Sequence, residues 1–237
     1  MKKSIGLIII ILIWYLFSIV FPQQIPYPQD VIINFFKIFK THLLIPTKES
    51  VTLLFTGLLL SIIVGVHIGI LMGLSKRANQ MLDPVVYAIY PIPKSTLVQV
   101  LIVIFASMFW MKTTLIFIIV VFPVIITVKD AIKNIPKEVF YHAKSLSLNN
   151  KDMYKEILIP AILPNLLSTT RISIGTSIAV LYLSETRGIG SGLGYFIDNS
   201  IHTSNLNMFT GIFLLSLIGY VLFVVIDILE HKLCKWI

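Results

Sequence analysis

Charged residues are scarce in this chain. Only 13% of its 237 residues are charged, whereas 57% are hydrophobic and the mean hydropathy is +0.91. Soluble domains carry about 25% charged residues, so the composition excludes an ordinary soluble domain and predicts an integral membrane protein. The net charge of +8 comes from lysines scattered at segment ends. That distribution describes membrane topology better than a nucleic-acid footprint.

Several kinds of chemical site are also missing. The lone cysteine, Cys234, excludes an intrachain disulfide and a cysteine-based metal cluster. No Gly-x-x-x-x-Gly-Lys-Ser/Thr phosphate loop is present, so ATP binding by this chain itself is not expected. The stretch from Gly188 to Gly194 matches neither a dinucleotide fingerprint nor a nucleophile elbow, because Leu193 and Ile189 occupy the critical positions. The histidines have no metal-ligand spacing; they are His42, His67, His142, His202 and His231. We therefore expect no catalytic residue, no metal site and no cofactor bound by this chain.

Long apolar segments dominate what is present. A membrane-spanning helix needs about 20 apolar residues, and the sequence predicts an all-α membrane protein with about six spans in a single domain, residues 1–237. The predicted spans are Ile5–Phe21, Ser50–Leu74, Val85–Trp110, Thr113–Val128, Ala161–Leu183 and Leu206–Leu229. The first segment has the basic start of a signal peptide, but Phe21-Pro22-Gln23-Gln24 is a poor cleavage site, which favours a retained span.

The basic residues predict the orientation, since loops rich in Lys and Arg stay in the cytoplasm. With an internal N-terminus and six spans, both termini are cytoplasmic, and 12 of the 19 basic residues fall inside. The predicted cytoplasmic residues are Lys2, Lys3, Lys76, Arg77, Lys129, Lys133, Lys137, Lys144, Lys151, Lys155, Lys232 and Lys235. Those predicted outside are Lys37, Lys40, Lys48, Lys112 and Arg187.

Three local patterns add detail to the spans. Apolar residues recur at helical spacing from Pro28 to Leu44, which indicates an amphipathic helix at the outer interface or, alternatively, an ordinary connector. Gly65, Gly69 and Gly73 line one face of the second span and allow close helix packing, either within the subunit or between subunits.

The third span is interrupted by two prolines. Pro91 and Pro93 each remove a helix donor, which predicts a break. Irregular backbone at membrane depth is tolerated only against protein or water. Pro91 to Lys94 is therefore a candidate for the pathway or gate, although Lys94 could instead snorkel to the inner surface.

The polar stretch from Lys129 to Pro160 contains six lysines between two apolar segments, which predicts a cytoplasmic loop. Pro136 suits a first helical turn. Val139, Ala143 and Leu146 then share one face with Phe140 beside it, forming an apolar ridge. Either Asn149 or Asn150 can cap a second helix, Lys151 to Ile159, which Pro160 is expected to end. The loop is therefore a candidate docking element.

This loop resembles that of ATP-binding-cassette importer permeases. The family motif has Glu-Ala-Ala, three residues, Gly, nine residues and Ile-x-Leu-Pro, and the spacing matches from Ala143 through Ser147 to Ile157 and Pro160. Tyr141 and His142 replace Glu-Ala, Ser147 replaces Gly, and Ile159 replaces Leu. Glycine at that turn allows left-handed backbone, which Asn149-Asn150 could supply instead. Further similarity to the nitrate, sulfonate and taurine subgroup, which includes carriers of thiamine-precursor pyrimidines, lies in Pro28, Gly65, Gly69, Gly73, Pro91 to Pro93, Arg171, Glu185 and Gly192 to Tyr195.

The resemblance implies a type I importer permease fold with a cytoplasmic coupling helix, in a bacterial-type inner membrane. It implies a second permease copy, as a homodimer, a cytosolic ATPase dimer that binds the ATP, and an external solute-binding protein. It also implies a set of ATPase-coupling residues, namely Glu138, Val139, Phe140, Tyr141, His142, Ala143, Leu146, Ser147, Ile157 and Pro160.

Arg171 and Glu185 flank an apolar run in the fifth span. They are fourteen residues apart, so they share a helix face about 21 Å apart along the axis. Buried charges in lipid face a partner or water, which predicts either pathway and gate roles or pairing with a neighbouring helix or loop. Ser177 between them could line a polar path, or could bond its own backbone.

Two other classes of protein remain as alternatives. An intramembrane serine protease could use Ser191 and His202, but no nucleophile elbow or paired base accompanies them. A self-sufficient secondary transporter would show internal repeats or paired broken helices, and only one clear break is visible. Co-purification with a cytosolic ATPase separates the importer subunit from both.

Overall fold

The computed structural model describes residues 2–93, 96–187 and 191–236, and every regular element within these ranges is helical. The helices are α1 (Lys2–Val20), α2 (Pro28–Ile38), α3 (Leu44–Leu74), α4 (Lys76–Ile89), α5 (Leu97–Ile104), α6 (Met108–Lys133), α7 (Lys137–Ser145), α8 (Asn150–Met153), α9 (Ile159–Arg187), α10 (Leu193–Ile201) and α11 (Asn205–Leu233). Wide π-helical turns, Phe39–Leu43 and Tyr154–Leu158, join α2 to α3 and α8 to α9.

Four helical stretches of the described chain are long and apolar enough to cross a bilayer. They are Pro28–Leu74, Met108–Lys133, Lys151–Thr186 and Asn205–Leu233. A shorter apolar helix covers Ile8–Val20. The all-α, multi-pass membrane class predicted from hydropathy is confirmed.

The predicted bounds of the third span are wrong, whereas the predicted fourth span, Thr113–Val128, lies within α6. No single helix covers Val85–Trp110: α4 ends at Ile89, α5 begins at Leu97, and Trp110 already belongs to α6. The interruption expected at Pro91 and Pro93 is confirmed, because neither proline can donate to a helix ladder. A second break follows α5 at Phe105, whose backbone is extended.

The helix expected to stop at Pro160 continues through it into α9. The π-helical turn Tyr154–Leu158 comes directly before, and the Ile159 N–H bonds to the Tyr154 carbonyl. A π-turn widens the helix locally, which relieves the clash between a proline ring and the preceding turn. The loop is therefore continuous in structure with the fifth span.

The helix expected after the first span is present as α2, and it continues through the π-helical turn Phe39–Leu43 into α3. Its place at the outer interface stays a prediction. Tyr27 precedes Pro28 in extended backbone, and Pro28 occupies the first turn. The polar side chain of Asn34 lies on the buried side of α2. It is buried, and its amide donates to Asn207 Oδ1 and Thr210 Oγ1, both at 2.9 Å.

The chain divides into two compact units. The first contains Met1–Thr52 and Leu181–Ile218. In it, the Trp14 ring stacks on Phe209 at 6.4 Å, and the Trp14 indole N–H donates to the Pro26 carbonyl. The ring contact holds α1 against the start of α11, and the hydrogen bond holds it against the connector that leads to α2.

The second unit contains Leu53–Val180 and Gly219–Ile237. Here α3 and α6 lie against each other with one constant residue offset. A Cβ on Gly65 would approach Val124 at 2.7 Å, one on Gly69 would approach Val128 at 2.7 Å, and one on Gly73 would approach Ile132 at 2.8 Å. A constant offset means that the two helices run in the same direction. The glycine row therefore packs within the subunit, one of the two uses predicted for it.

Helix α4 runs against α6 in the opposite direction. Lys129 Nζ lies 2.8 Å from Asp83 Oδ1, and Lys133 Nζ lies 2.8 Å from Asn79 Oδ1. The residue number of the α4 partner falls by four as that of the α6 residue rises by four. The core between α3, α4 and α6 is built on Met72, Val86, Val121 and Ile125. Since α3 and α6 are parallel, α4 belongs to the segment that returns the chain between them.

Candidate functional site

Helix α7 ends in a tight left-handed turn at Ser147. Ser147 has φ of +53°, and among the described residues it is the only non-glycine residue with a positive φ. The Leu148 N–H bonds to the Ala143 carbonyl at 3.1 Å, five residues back, which is the long hydrogen bond of a Schellman motif. Serine thus adopts the conformation that glycine supplies in the resembling motif. The alternative that Asn149-Asn150 takes over this conformation is wrong.

Asn149 then caps the next helix. Its Oδ1 accepts a hydrogen bond from the Asp152 N–H at 2.9 Å, as an N-cap asparagine does. Of the two asparagines considered, the structure selects Asn149. The cap, α8, the π-helical turn and α9 follow one another without a break, so the second half of the loop is continuous with a long apolar helix.

The residues of the apolar ridge predicted on this loop differ in solvent exposure. Ala143 is only 2% exposed, whereas Leu146 is 73% and Tyr141 is 66% exposed. Ala143 is therefore not on the exposed face of the loop, because its methyl group packs inside the chain, and its role in ATPase coupling stays a prediction. Val139 and Phe140 are half-buried, and Glu138, His142 and Ser147 are exposed.

Behind α7 lies a cavity of about 440 Å³. It brings Val139 beside Ile157, and the two residues belong to different halves of the loop. Asn134, Glu156 and Asn165 supply its polar lining. The predicted loop residues Val139 of α7 and Ile157 of the π-helical turn thus face the same cavity, and Pro160, half-buried, lies in the first turn of α9.

Glu185 is completely buried and caps α10 across a loop. Its Oε2 accepts from the Gly194 N–H at 2.7 Å, and its Oε1 accepts from the Ser50 hydroxyl at 2.7 Å. Ser50 Oγ in turn accepts from the Leu193 N–H at 2.9 Å. The Leu193 and Gly194 amides both belong to the first turn of α10, where the helix dipole favours a negative charge. The carboxylate therefore ties α9, α3 and α10 together within the first unit.

Gly192 makes this arrangement possible. It has φ of 104° and ψ of 173°, a region that is essentially restricted to glycine. A Cβ at this position would overlap the Glu185 carboxylate. Residues 188–190, the first part of the glycine-rich stretch, lie outside the described residues.

Arg171 pairs with the neighbouring helix. Its guanidinium donates to Asp227 Oδ1 at 2.8 Å and also to Glu230 Oε2. All three side chains are about one-third exposed, with values of 31%, 34% and 31%. Pairing between helices, one of the two roles considered for Arg171, is present in the structure, while its pathway role stays a prediction.

A cavity of about 610 Å³ lies in the second unit between α6 and α9, with Tyr90 at its rim. Its lining is Tyr90, Ile119, Pro123, Ile126, Thr127, Thr169, Ile172, Ser173, Thr176 and Val180. Ser177 is fully buried, and its hydroxyl has no partner among the described residues. It lies one turn from Ser173 but is not part of the cavity wall. Pro91 and Pro93 follow Tyr90 directly, and Lys94 lies outside the described residues.

Sequence reasoning missed that Lys129, like Lys112, is a buried cation of the second unit. Lys129 is 4% exposed, bonds Asp83, and lies 5.5 Å from the centre of the Tyr87 ring. The sequence spacing of polar residues on α4 and α6 contains a signal for the contact between Lys129 and Asp83. Asn79, Asp83 and Tyr87 recur every four residues on α4, and Lys129 and Lys133 do so on α6. Two matching polar stripes on neighbouring apolar helices are typical of a packed pair.

These features define a class of protein. The geometry itself establishes a helical membrane protein with several long apolar helices and a loop helix that leads through a turn into one of them. The family model of the binding-protein-dependent transport system inner membrane component matches residues 57–235. The chain belongs to this family of ABC transporter permeases.

Individual relatives agree with this assignment. The chain is 30% identical over 233 residues to an aliphatic sulfonates transport permease protein of Bacillus subtilis, covering 96% of this chain and 84% of that one. It is 26% identical over 223 residues to a formylaminopyrimidine transport permease protein of Halalkalibacterium halodurans, covering 91% and 86%. Its fold resembles an inward-facing structure of the MetNI methionine ABC transporter, with a TM-score of 0.63 at 16% identity over 80% of this chain and 93% of that one.

Proposed function

We propose that this chain is the membrane-spanning subunit of an ATP-driven importer whose ATP is hydrolysed on a separate cytosolic chain. The observation that carries the proposal is the loop. Helix α7 presents Leu146 and Tyr141 outward and is joined through Asn149 and the π-helical turn to α9. A polar loop helix with exposed Tyr141 and Leu146 side chains, connected to a span, is suited to pass movement from a docked partner into the membrane.

Six crossings are supported by the directions of the helices. Within the second unit, α3 and α6 are parallel and α4 opposes α6. The segment from α4 through α5 therefore returns the chain, although no part of it meets the length of an unbroken span. Together with α1, α3, α6, α9 and α11, it makes six passes, and Lys76–Ile104 is the broken one.

The orientation follows from the basic residues. An even number of crossings brings both termini to one side, and the positive-inside rule selects the cytoplasm for that side and for the loop from Lys129 to Pro160. The whole of 1–237 then acts as a single permease domain, with no cofactor of its own.

The assembly is inferred from the family. We propose that two copies of this chain form the pathway, that two ATPases dock on their α7 helices, and that an external binding protein delivers the solute. ATP acts by binding one conformation of this assembly better than another. The solute belongs to the sulfonate, taurine and nitrate group or to the thiamine-precursor pyrimidines.

Leu146→Glu tests the docking step. A charge placed on an exposed apolar contact must be desolvated on docking, at a cost of about 2 kcal/mol or more, so the ATPase should co-purify at least about tenfold less. The measurement is the ATPase-to-permease ratio after affinity purification, together with transport-coupled ATP hydrolysis.

Two variants control for general damage to the loop. Leu146→Met keeps an apolar side chain and should retain the ATPase. Ser145→Glu adds the same charge at the neighbouring exposed position and should reduce docking less than Leu146→Glu. Full ATPase retention by Leu146→Glu would reject α7 as the docking helix, and absence of any ATPase partner from the wild-type complex would reject the importer function itself.

A further inference from the structure

The cavity between α6 and α9 has a two-part lining that restricts what it can hold. None of its ten lining residues is charged. Five are aliphatic, namely Ile119, Pro123, Ile126, Ile172 and Val180, and the other five carry hydroxyls, on Tyr90 at the rim and on four Ser and Thr side chains of α6 and α9. The wall therefore offers apolar contact together with a short line of neutral hydrogen-bonding groups.

The hydroxyl groups are held in different ways. Thr127 Oγ1 and Thr169 Oγ1 lie 2.8 Å apart, so one donates to the other and the second keeps its own proton for a ligand. Thr176 Oγ1 donates to the Ser173 carbonyl, which leaves its lone pairs as acceptors. Ser173 is only 4% exposed yet lines the cavity. Donors and acceptors are therefore both available on one wall.

Such a wall discriminates between solute classes. A desolvated anion without a counter-charge is strongly disfavoured at membrane depth, and the lining residues that the structure describes include no cation. A neutral heterocycle has apolar ring faces for the aliphatic residues, and amino and ring-nitrogen groups for the hydroxyls. Buried apolar area and paired hydrogen bonds then both favour binding.

We propose that this cavity is a solute position on the pathway and that it takes an uncharged hydrogen-bonding heterocycle of the aminopyrimidine class rather than a sulfonate or nitrate anion. The inference rests on the proposed importer function and identifies its solute class. Thr127, Thr169, Ser173 and Thr176 form the hydrogen-bonding edge, and the aliphatic side chains of α6 and α9 hold the ring.

The test measures the charge preference of the cavity in the assembled complex. Ser173→Cys is made in a Cys234→Ser chain, and the rates of modification by methanethiosulfonates carrying neutral, anionic and cationic groups are compared with their rates on a free thiol. After this correction, the neutral reagent should react at least about tenfold faster than the anionic one. Formylaminopyrimidine should slow the neutral reaction, whereas nitrate and ethanesulfonate at the same concentration should not.

Ser177→Cys is the matched control, since Ser177 is on the same helix one turn away but outside the cavity wall. It should remain unmodified in conditions that label Ser173→Cys. Faster anionic labelling, protection by nitrate or ethanesulfonate, or no labelling of Ser173→Cys would overturn the inference, as would equal labelling at Ser177→Cys. If the ATPase is retained in these complexes, the importer function remains supported in each of those outcomes. Failure of the solute-class inference can therefore be distinguished from failure of the proposed importer function.

Discussion

At the scale of single residues, two backbone positions carry unusual conformations, and each has a chemical reason. Gly192 lies where any side chain would meet the Glu185 carboxylate, and Ser147 ends α7 at positive φ. One is occupied by the residue type that the conformation requires, and the other is not.

Gly192→Ala should destabilise the first unit. The new Cβ both overlaps Glu185 and forces alanine into a glycine-only backbone region, which by itself costs about 1–3 kcal/mol. A lowered melting temperature in detergent, with faster amide exchange at Leu193 and Gly194, is the expected measurement. Gly6→Ala, where nothing lies within 4 Å of the added Cβ, should leave both unchanged. Equal stability of the two variants would contradict the capping role of Glu185.

Ser147→Gly should stabilise the loop slightly. An L-residue in left-handed backbone costs about 1–2 kcal/mol, while glycine adds about 0.5–1 kcal/mol of unfolded-chain entropy, so a net gain of roughly 1 kcal/mol or less is expected. Slower amide exchange at Leu148 reports it. Ser145→Gly, inside α7, should instead destabilise the helix by about 0.5 kcal/mol. A stabilising effect at both positions would show that the turn conformation is not the cause.

At the scale of elements, close packing of α3 on α6 depends on small residues at a four-residue repeat. Gly65, Gly69 and Gly73 face Val124, Val128 and Ile132 in turn. Absence of a Cβ lets two backbones approach in lipid, where packing rather than water exclusion drives association.

Gly69→Val should separate this pair of helices. Its Cβ would lie 2.7 Å from that of Val128 and 3.0 Å from the Ile125 carbonyl, and overpacking of this kind costs about 1–3 kcal/mol. Reduced thermal stability and reduced yield of folded permease are expected. Gly175→Ala in α9 meets only Phe223, at 3.9 Å, and should be neutral or slightly stabilising through helix propensity. If Gly69→Val behaves like this control, the helices do not pack as described.

At the scale of the whole molecule, topology can be measured with thiols, but Cys234 itself is a poor probe. It is 6% exposed, and burial, followed by the negative charge of Glu230, raises the pKa of its thiol. Less of it is thiolate at neutral pH than for an ordinary cysteine. Its alkylation should be slow at pH 7 and should continue to accelerate with rising pH beyond the range in which an ordinary thiol has levelled off.

Exposed cysteines in a Cys234→Ser chain give the sharper test. Trp236→Cys, at a position 54% exposed, should resist an impermeant maleimide in intact cells and react after permeabilisation. His202→Cys, at the end of α10 and predicted to be external, should react in both conditions. Labelling of Trp236→Cys from outside would reverse the proposed orientation of the loop and of both termini.

The sequence by itself determined the membrane class, the helical content, the break at Pro91 and Pro93, the glycine face and the spacing of the loop. Each of these depends on local hydropathy, on periodicity or on the covalent limits of proline and glycine, which act over a few residues. Partners distant in sequence were decided only by the tertiary structure. Ser50 meets Glu185 across 135 residues, Ala143 turns inward while Leu146 does not, and α3 lies parallel to α6. A helical pattern states which residues share a face, whereas burial, hydrogen bonding and charge pairing depend on which other helix that face meets.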